Sequence, residues 1–167
     1  CMGIAPFLIG VDQQTGWRLI TGLSETPLGL VTTRPEYREL ADITPRDRIA
    51  LPQPGSIQHI LLAMAAERRF GEPKRFDDQL VSMGHPEGLT VLLAGRDVAA
   101  HFTSPPYLFQ ALDHPEATLL LEGEEAFGGR FTFIVGVAAP GWEEDPENAQ
   151  VLEAFFLALD RAFEAAR

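Results

Sequence analysis

The feature that most constrains this chain is the short-period alternation of strand-like runs and helix-opening signals between residues 48 and 121. Arg48–Leu51 is a brief apolar run that stops at Pro52-Gln-Pro-Gly-Ser56. Ile57–Arg69 then carries apolar residues at Ile57, Ile60, Leu61, Met64 and Ala65, the spacing of one helix face. Ser56 stands before it as a good N-cap. Gln79–Met83 reads as a second strand, and Gly84-His85-Pro86 opens a short helix through Leu93. Val98–Phe102 reads as a third, and Thr103-Ser104-Pro105-Pro106 predicts a helix through Leu112 with proline at its first position after Ser. Thr118–Leu121 is a fourth strand. Such alternation implies βαβ units and an α/β fold with a mixed, mostly parallel sheet.

Two flanking apolar segments, Leu28–Thr32 and Phe131–Ala138, are each bounded by Gly or Pro and are expected to carry the chain into and out of this block. Asp145–Arg167 reads as a long amphipathic helix with Val151, Leu152, Phe155, Phe156, Leu159 and Phe163 at helical spacing. Its Phe stripe is expected to pack on a sheet. No internal repeat or low-complexity stretch is visible.

Charge narrows the partners. The net charge is −11, from 13 basic and 24 acidic residues, so nucleic acid and anionic membrane surfaces are poor partners. A small anion is still compatible, because helix N-termini bind one without any cationic side chain. Cys1 is the single cysteine, which rules out an internal disulfide and any CxxC metal or redox motif. No apolar run approaches the ~18 residues of a membrane span, so direct membrane insertion is not expected. Cys1 suggests a lipidated mature N-terminus as one reading. The apolar Met2–Gly10 that follows, in place of a polar linker, favours the reading of a fragment.

In open α/β sheets, ligands bind beyond the carboxyl ends of strands, where loops lead into helix N-termini. That rule selects Gly55, Ser56, Gln58 and His59 after the first strand, Gly84 and His85 after the second, and Thr103, Ser104 and Tyr107 after the third. Gly3-Ile4-Ala5-Pro6-Phe7 is a similar small-residue entry to a helix. Neutral donors at Ser56–Gln58 and Ser104–Tyr107, reinforced by helix dipoles, suit a carboxylate, a sulfonate or a similar oxyanion. Ser56 and Ser104 are equally readable as plain N-caps. His59, His85, His101 and His114 lack HxxxH or HExxH spacing, so no metal site is expected, and His101 reads as a satisfied core or lining residue. Glu122-Gly-Glu-Glu125 reads as a solvated acidic turn. GxSxG, Walker-type and GxGxxG motifs are all absent, so no catalytic residue and no cofactor is assigned.

Taken in chain order, these segments resemble the sulfonate, nitrate, taurine and thiamine-precursor branch of the type II periplasmic solute-binding proteins. The resemblance rests on Met2–Gly10, Gly22–Glu25 with Leu28–Val31, Leu40–Ile43 with Arg48–Pro52, Gly55-Ser56 with His59–Leu62, Ser104–Tyr107 and Gly128–Phe131. It implies two lobes closing on a small-molecule ligand, delivery to the permease subunits of an ABC importer, and a periplasmic or extracytoplasmic location. Residues 27–137 would form the second lobe, with 1–26 and 138–167 as parts of the first. The cleft would be lined by Ala5, Pro6, Phe7, Ser24, Glu25, Ser56, Gln58, His59, Ser104 and Tyr107. Ser24-Glu25 stands where a cationic clamp would serve a fully charged anion, which leaves an oxygen-rich ligand as the broader expectation. Enzymes of thiamine or menaquinone precursor chemistry and ligand-sensing domains are alternatives on the same fold. The single cysteine argues against the first of these, whose pattern includes a Cys-rich iron motif.

Overall fold

The computed structural model describes residues 1–166, and every side chain among them except that of Glu143. Its strands form two sheets. A three-stranded antiparallel sheet has the order β1 (Met2–Gly3), β8 (Ile134–Ala138), β2 (Arg18–Ser24). The larger, five-stranded sheet has the order β5 (Leu80–Ser82), β4 (Ile49–Leu51), β6 (Ala100–Thr103), β3 (Gly29–Thr32), β7 (Thr118–Glu122). β4 runs parallel to both β5 and β6, whereas β3 is antiparallel to β6 and β7. The sheet is therefore mixed, as the alternating pattern predicts. The antiparallel member is the strand that enters from outside the βαβ block.

Helices cover both faces of the larger sheet, so its strands are apolar on both sides. On one face α2 (Ile57–Phe70) and α5 (Gly123–Phe127) pack over Leu30, Ile49, Leu51, Ala100, Phe102 and Leu121. On the other, α3 (His85–Leu93) and α4 (Tyr107–Leu112) cover Val31 and Ala50 with Leu92, Leu108 and Ala111. Alternation along β3 and β4 produces this division, because successive side chains point to opposite faces. A bulge in β7 pairs Leu30 with Leu121 but Val31 with Leu119, so the intervening Leu120 faces the α2 core. Fully buried side chains such as Phe102, Leu30, Leu51, Leu61 and Leu62 each contribute about 1.5–3 kcal/mol.

α2 shows why the local sequence folds as it does. Ser56 Oγ accepts from the His59 N–H at 3.4 Å, the helix buries Ile57, Leu61, Leu62, Ala65 and Ala66, and Gly71 ends it at φ +71°. The left-handed geometry at that end favours glycine. A polar clasp fastens the β3–β4 connection. Asp47, 5% exposed, accepts from Arg34 Nη1 (2.6 Å), Tyr37 Oη (2.7 Å), and the Thr44 N–H (2.7 Å) and Oγ1 (2.8 Å).

Four local expectations are corrected. Helix α4 begins at Tyr107 with Pro106 at its N-cap position, so Ser104 does not cap it. Pro105 is itself followed by a proline, which disfavours the helical region for the residue before it. Glu122–Glu125 is not a turn, since it leads into α5, although Glu124 and Glu125 stay solvated. The C-terminal helix α6 (Pro146–Ala165) forms from an Asp145 cap, but it buries none of its residues. Leu152 and Phe156 line a groove with Arg18, Leu19, Ile20, Ala138 and Trp142, while Val151, Phe155, Leu157 and Phe163 are exposed. Arg167 lies outside the described residues. His101 is buried, as expected, yet neither of its ring nitrogens has a hydrogen-bond partner among the described residues.

Candidate functional site

β4 and β6 are adjacent parallel strands whose following helices lie on opposite faces, α2 after β4 and α4 after β6. This is a topological switch point, where the carboxyl ends of neighbouring strands open a crevice. The Ser56 group stands on one bank of it and the Ser104 group on the other.

At the Ser56 bank, the Gly55 N–H donates to His59 Nδ1 (3.0 Å), Ser56 N–H to the Gln53 carbonyl (3.1 Å), and Ile60 N–H to the Ser56 carbonyl (3.1 Å). With the His59 N–H on Ser56 Oγ, the bonds among the described residues leave the Ile57 and Gln58 N–H groups to an outside acceptor. Those two donors point from a 14-residue helix with the positive end of its dipole behind them. The side chains expected to help lie as follows. His59 is held by Gly55 and by Asp77 Oδ1 at 3.1 Å, so its ring serves the loop and not the crevice. Gln58 is 3% exposed.

The Ser104 bank is organised by His85, a residue noted in the loop after β5 but not carried into the expected lining set. Thr103 Oγ1 lies 2.9 Å from His85 Nδ1 and Ser104 Oγ 3.5 Å from Nε2. The Tyr107 ring stacks on His85 with centroids 6.0 Å apart, and His101 lies 5.9 Å from it on the inner side. Burial pushes the His85 imidazole below its ordinary pKa. For His101, burial and then the neighbouring His85 lower the pKa to about 4. Both rings are neutral at pH 7, so this bank offers hydroxyl and imidazole hydrogen bonds in place of charge.

The first-sheet residues divide. α1 (Ile4–Asp12) buries Ala5 and Phe7 and leaves Pro6 exposed. Ile4, Ala5 and Leu8 line a cavity of about 500 Å³ together with Ile57, Ile60 and Met64 of α2 and Phe127, Arg130, Phe131 and Thr132 of the returning segment. Phe7 is absent from that wall. Ser24 is used by its carbonyl, which accepts from the Phe133 N–H at 2.7 Å and from Thr132 Oγ1 at 3.2 Å, tying together the two connections between the sheets. Glu25 forms an exposed ion pair with Arg130. A cation thus stands beside Ser24-Glu25, supplied 105 residues away in sequence. In the sequence Arg130 stands within Gly128–Phe131, and in the structure the Phe127 and Phe131 rings lie 4.9 Å apart. Among the described residues no group of three or more His, Cys, Asp or Glu is placed to hold a metal ion. No described helix is long and apolar enough to cross a membrane.

Neither a family model nor a curated protein matches this chain. Solved structures do. A Bordetella bronchiseptica RB50 protein superposes with TM-score 0.74 at 17% identity, over 97% of this chain and 54% of that one. The periplasmic aliphatic sulphonate binding protein SsuA of Escherichia coli gives 0.67 at 22% identity, over 99% and 52%. A Salmonella typhimurium periplasmic binding protein with high arginine specificity gives 0.57 at 14%, over 96% and 62%. The chain spans about half the length of the first two. It has the mixed α/β fold of periplasmic binding proteins.

Proposed function

We propose that this chain is part of the solute-binding component of an ABC uptake system and works outside the cytoplasm with permease subunits. In this reading residues 27–137 form one lobe, and 1–26 with 138–167 contribute to the other. The ligand is a small anionic or oxygen-rich molecule of the sulfonate, nitrate, taurine or thiamine-precursor kind. The observation that carries the reading is the pair of unengaged N–H groups at Ile57 and Gln58, set at the switch point of the sheet. Two N–H donors backed by a helix dipole suit an oxyanion and need no basic patch, which the charge of −11 does not supply. In this reading Ser104 and Tyr107 supply neutral donors from the neighbouring strand. The likeness in fold to proteins named for sulphonate and arginine binding supports a solute-binding role without selecting the solute.

The test is an amide NMR titration of the full chain with methanesulfonate, taurine, nitrate and an aminopyrimidine, together with the Ser56→Ala variant. The expected result is movement of the Ile57 and Gln58 amide signals with one of these ligands, and about a fivefold to tenfold weaker affinity after Ser56→Ala, as the turn that presents the donors loosens. If no compound moves those two amides, the assignment fails.

A further inference from the structure

Hydrogen bonding at the end of β6 fixes where one proton on His85 must sit. Thr103 is fully buried, and His85 Nδ1, at 2.9 Å, is the one partner of its Oγ1 among the described residues. The hydroxyl could accept from that nitrogen, but its own proton would then be stranded in the core without an acceptor, which is costly. The Thr103 O–H therefore donates, and Nδ1 is the unprotonated nitrogen. Both His85 and its neighbour His101 are neutral at pH 7, and a neutral imidazole carries one proton, so in His85 that proton is on Nε2. Nε2 lies 3.5 Å from Ser104 Oγ, a long contact whose direction is now set: the ring donates and the serine oxygen accepts. Ser104 keeps its own proton for another acceptor. The opposite tautomer would strand the Thr103 proton and spend the Ser104 proton on the ring. The His85 ring is also clamped. Tyr107 stacks on it at 17° with centroids 6.0 Å apart, and His101 lies 5.9 Å away on the inner side. His101 is itself confined, since a Cβ on Gly88 of α3 would stand 2.5 Å from its Nε2. With that space filled, the His85 ring has no room to turn inward.

We infer that His85 is a positioning residue: held by Thr103 as the Nε2–H tautomer, it turns the Ser104 hydroxyl proton outward, so that this bank takes an acceptor oxygen and refuses a donor such as an ammonium group. The inference rests on the solute-binding reading, in which Ser104 meets the ligand, and deepens it. The polarity of that contact is set by Thr103 and His85, neither of which needs to touch the ligand.

Two measurements on the full chain test it. Nitrogen NMR of the histidine rings at pH 7 reads the tautomer, with the His85 signals identified by their loss in His85→Gln. Calorimetry with methanesulfonate and with nitrate, both acceptor-only anions, reads recognition. The wild-type chain is expected to carry the His85 proton on Nε2. Thr103→Val, which removes the hydroxyl that selects this tautomer, should give a mixture of the two and weaken anion binding about fivefold to tenfold. Thr103→Ser should restore both the tautomer and the affinity. Ser104→Ala should weaken binding by a similar factor, and adding Thr103→Val to it should cost nothing more, because both changes act on one proton. A packing role for Thr103 would instead leave the tautomer unmoved and make the two losses additive. An Nδ1–H ring in the wild type, an unchanged tautomer in Thr103→Val, or additive losses would overturn the inference while leaving the solute-binding reading in place. No binding of either anion by the wild-type chain would overturn the oxyanion reading and this inference with it.

Discussion

Acidification should destabilise this protein through one buried imidazole, His101. The ring is fully buried, neither nitrogen has a partner among the described residues, and Val31 and Ala50 flank it across the sheet. Burial and His85 lower its pKa from 6.5 to about 4, so the unfolded chain takes up a proton at a pH where the folded chain does not. Stability is therefore fully present above pH 6.5 and falls as the pH drops toward 4, levelling off below. A separation of about 2.5 units at about 1.4 kcal/mol each sets the loss at about 3 kcal/mol. His85, also lowered by burial, adds a loss of the same sign. Asp47 does not confuse the reading. Its hydrogen bonds hold its pKa below 3.8 despite burial, so its contribution is lost only under stronger acid. Urea unfolding at pH 7, 6, 5 and 4.5 should show the wild-type free energy falling steeply, while His101→Leu keeps a much flatter profile from the same apolar space. Equal pH slopes in the two proteins, or a His101 ring signal titrating near 6.5, would refute the argument.

Three further outcomes are expected from the same structure. Asp47→Ala strips the acceptor from four donors and should cost about 3 kcal/mol, with Asp47→Asn recovering only part of it; denaturant midpoints measure both. Gly88→Ala places a methyl 2.5 Å from His101 Nε2, and the overpacking cost of about 1–3 kcal/mol should exceed the ~1 kcal/mol gain in helix propensity. Combining it with His101→Ala should reverse the sign, and additive losses in that cycle would show that the two do not touch. Gly71→Ala, at the left-handed end of α2, should lower stability by about 1 kcal/mol while leaving anion titrations unchanged.

Local order was legible wherever a short-range rule acts alone. Ser56 and Gly71 bound α2, the apolar spacing gave its buried face, and the runs at 48–51, 79–83 and 118–121 each contain a strand. The predicted start of α4 failed, because Ser104 and two prolines satisfy a local rule that the chain meets differently, with the helix beginning at Tyr107. His59 shows what a local rule leaves out. A histidine one turn into a helix looks available until Asp77, from another segment, takes its second nitrogen.

The sequence by itself determined the α/β class, the helix whose N-terminus carries the unengaged donors, and the charge that turns away polyanions. Hydrophobic period, caps and net charge are sums over neighbouring residues. Tertiary structure alone decided that Arg130 meets Glu25, that His85 gathers Thr103, Ser104 and Tyr107, and that α1 and α2 enclose an apolar cavity. These contacts join residues up to 105 positions apart, and strand order, which local pattern does not encode, brings them together.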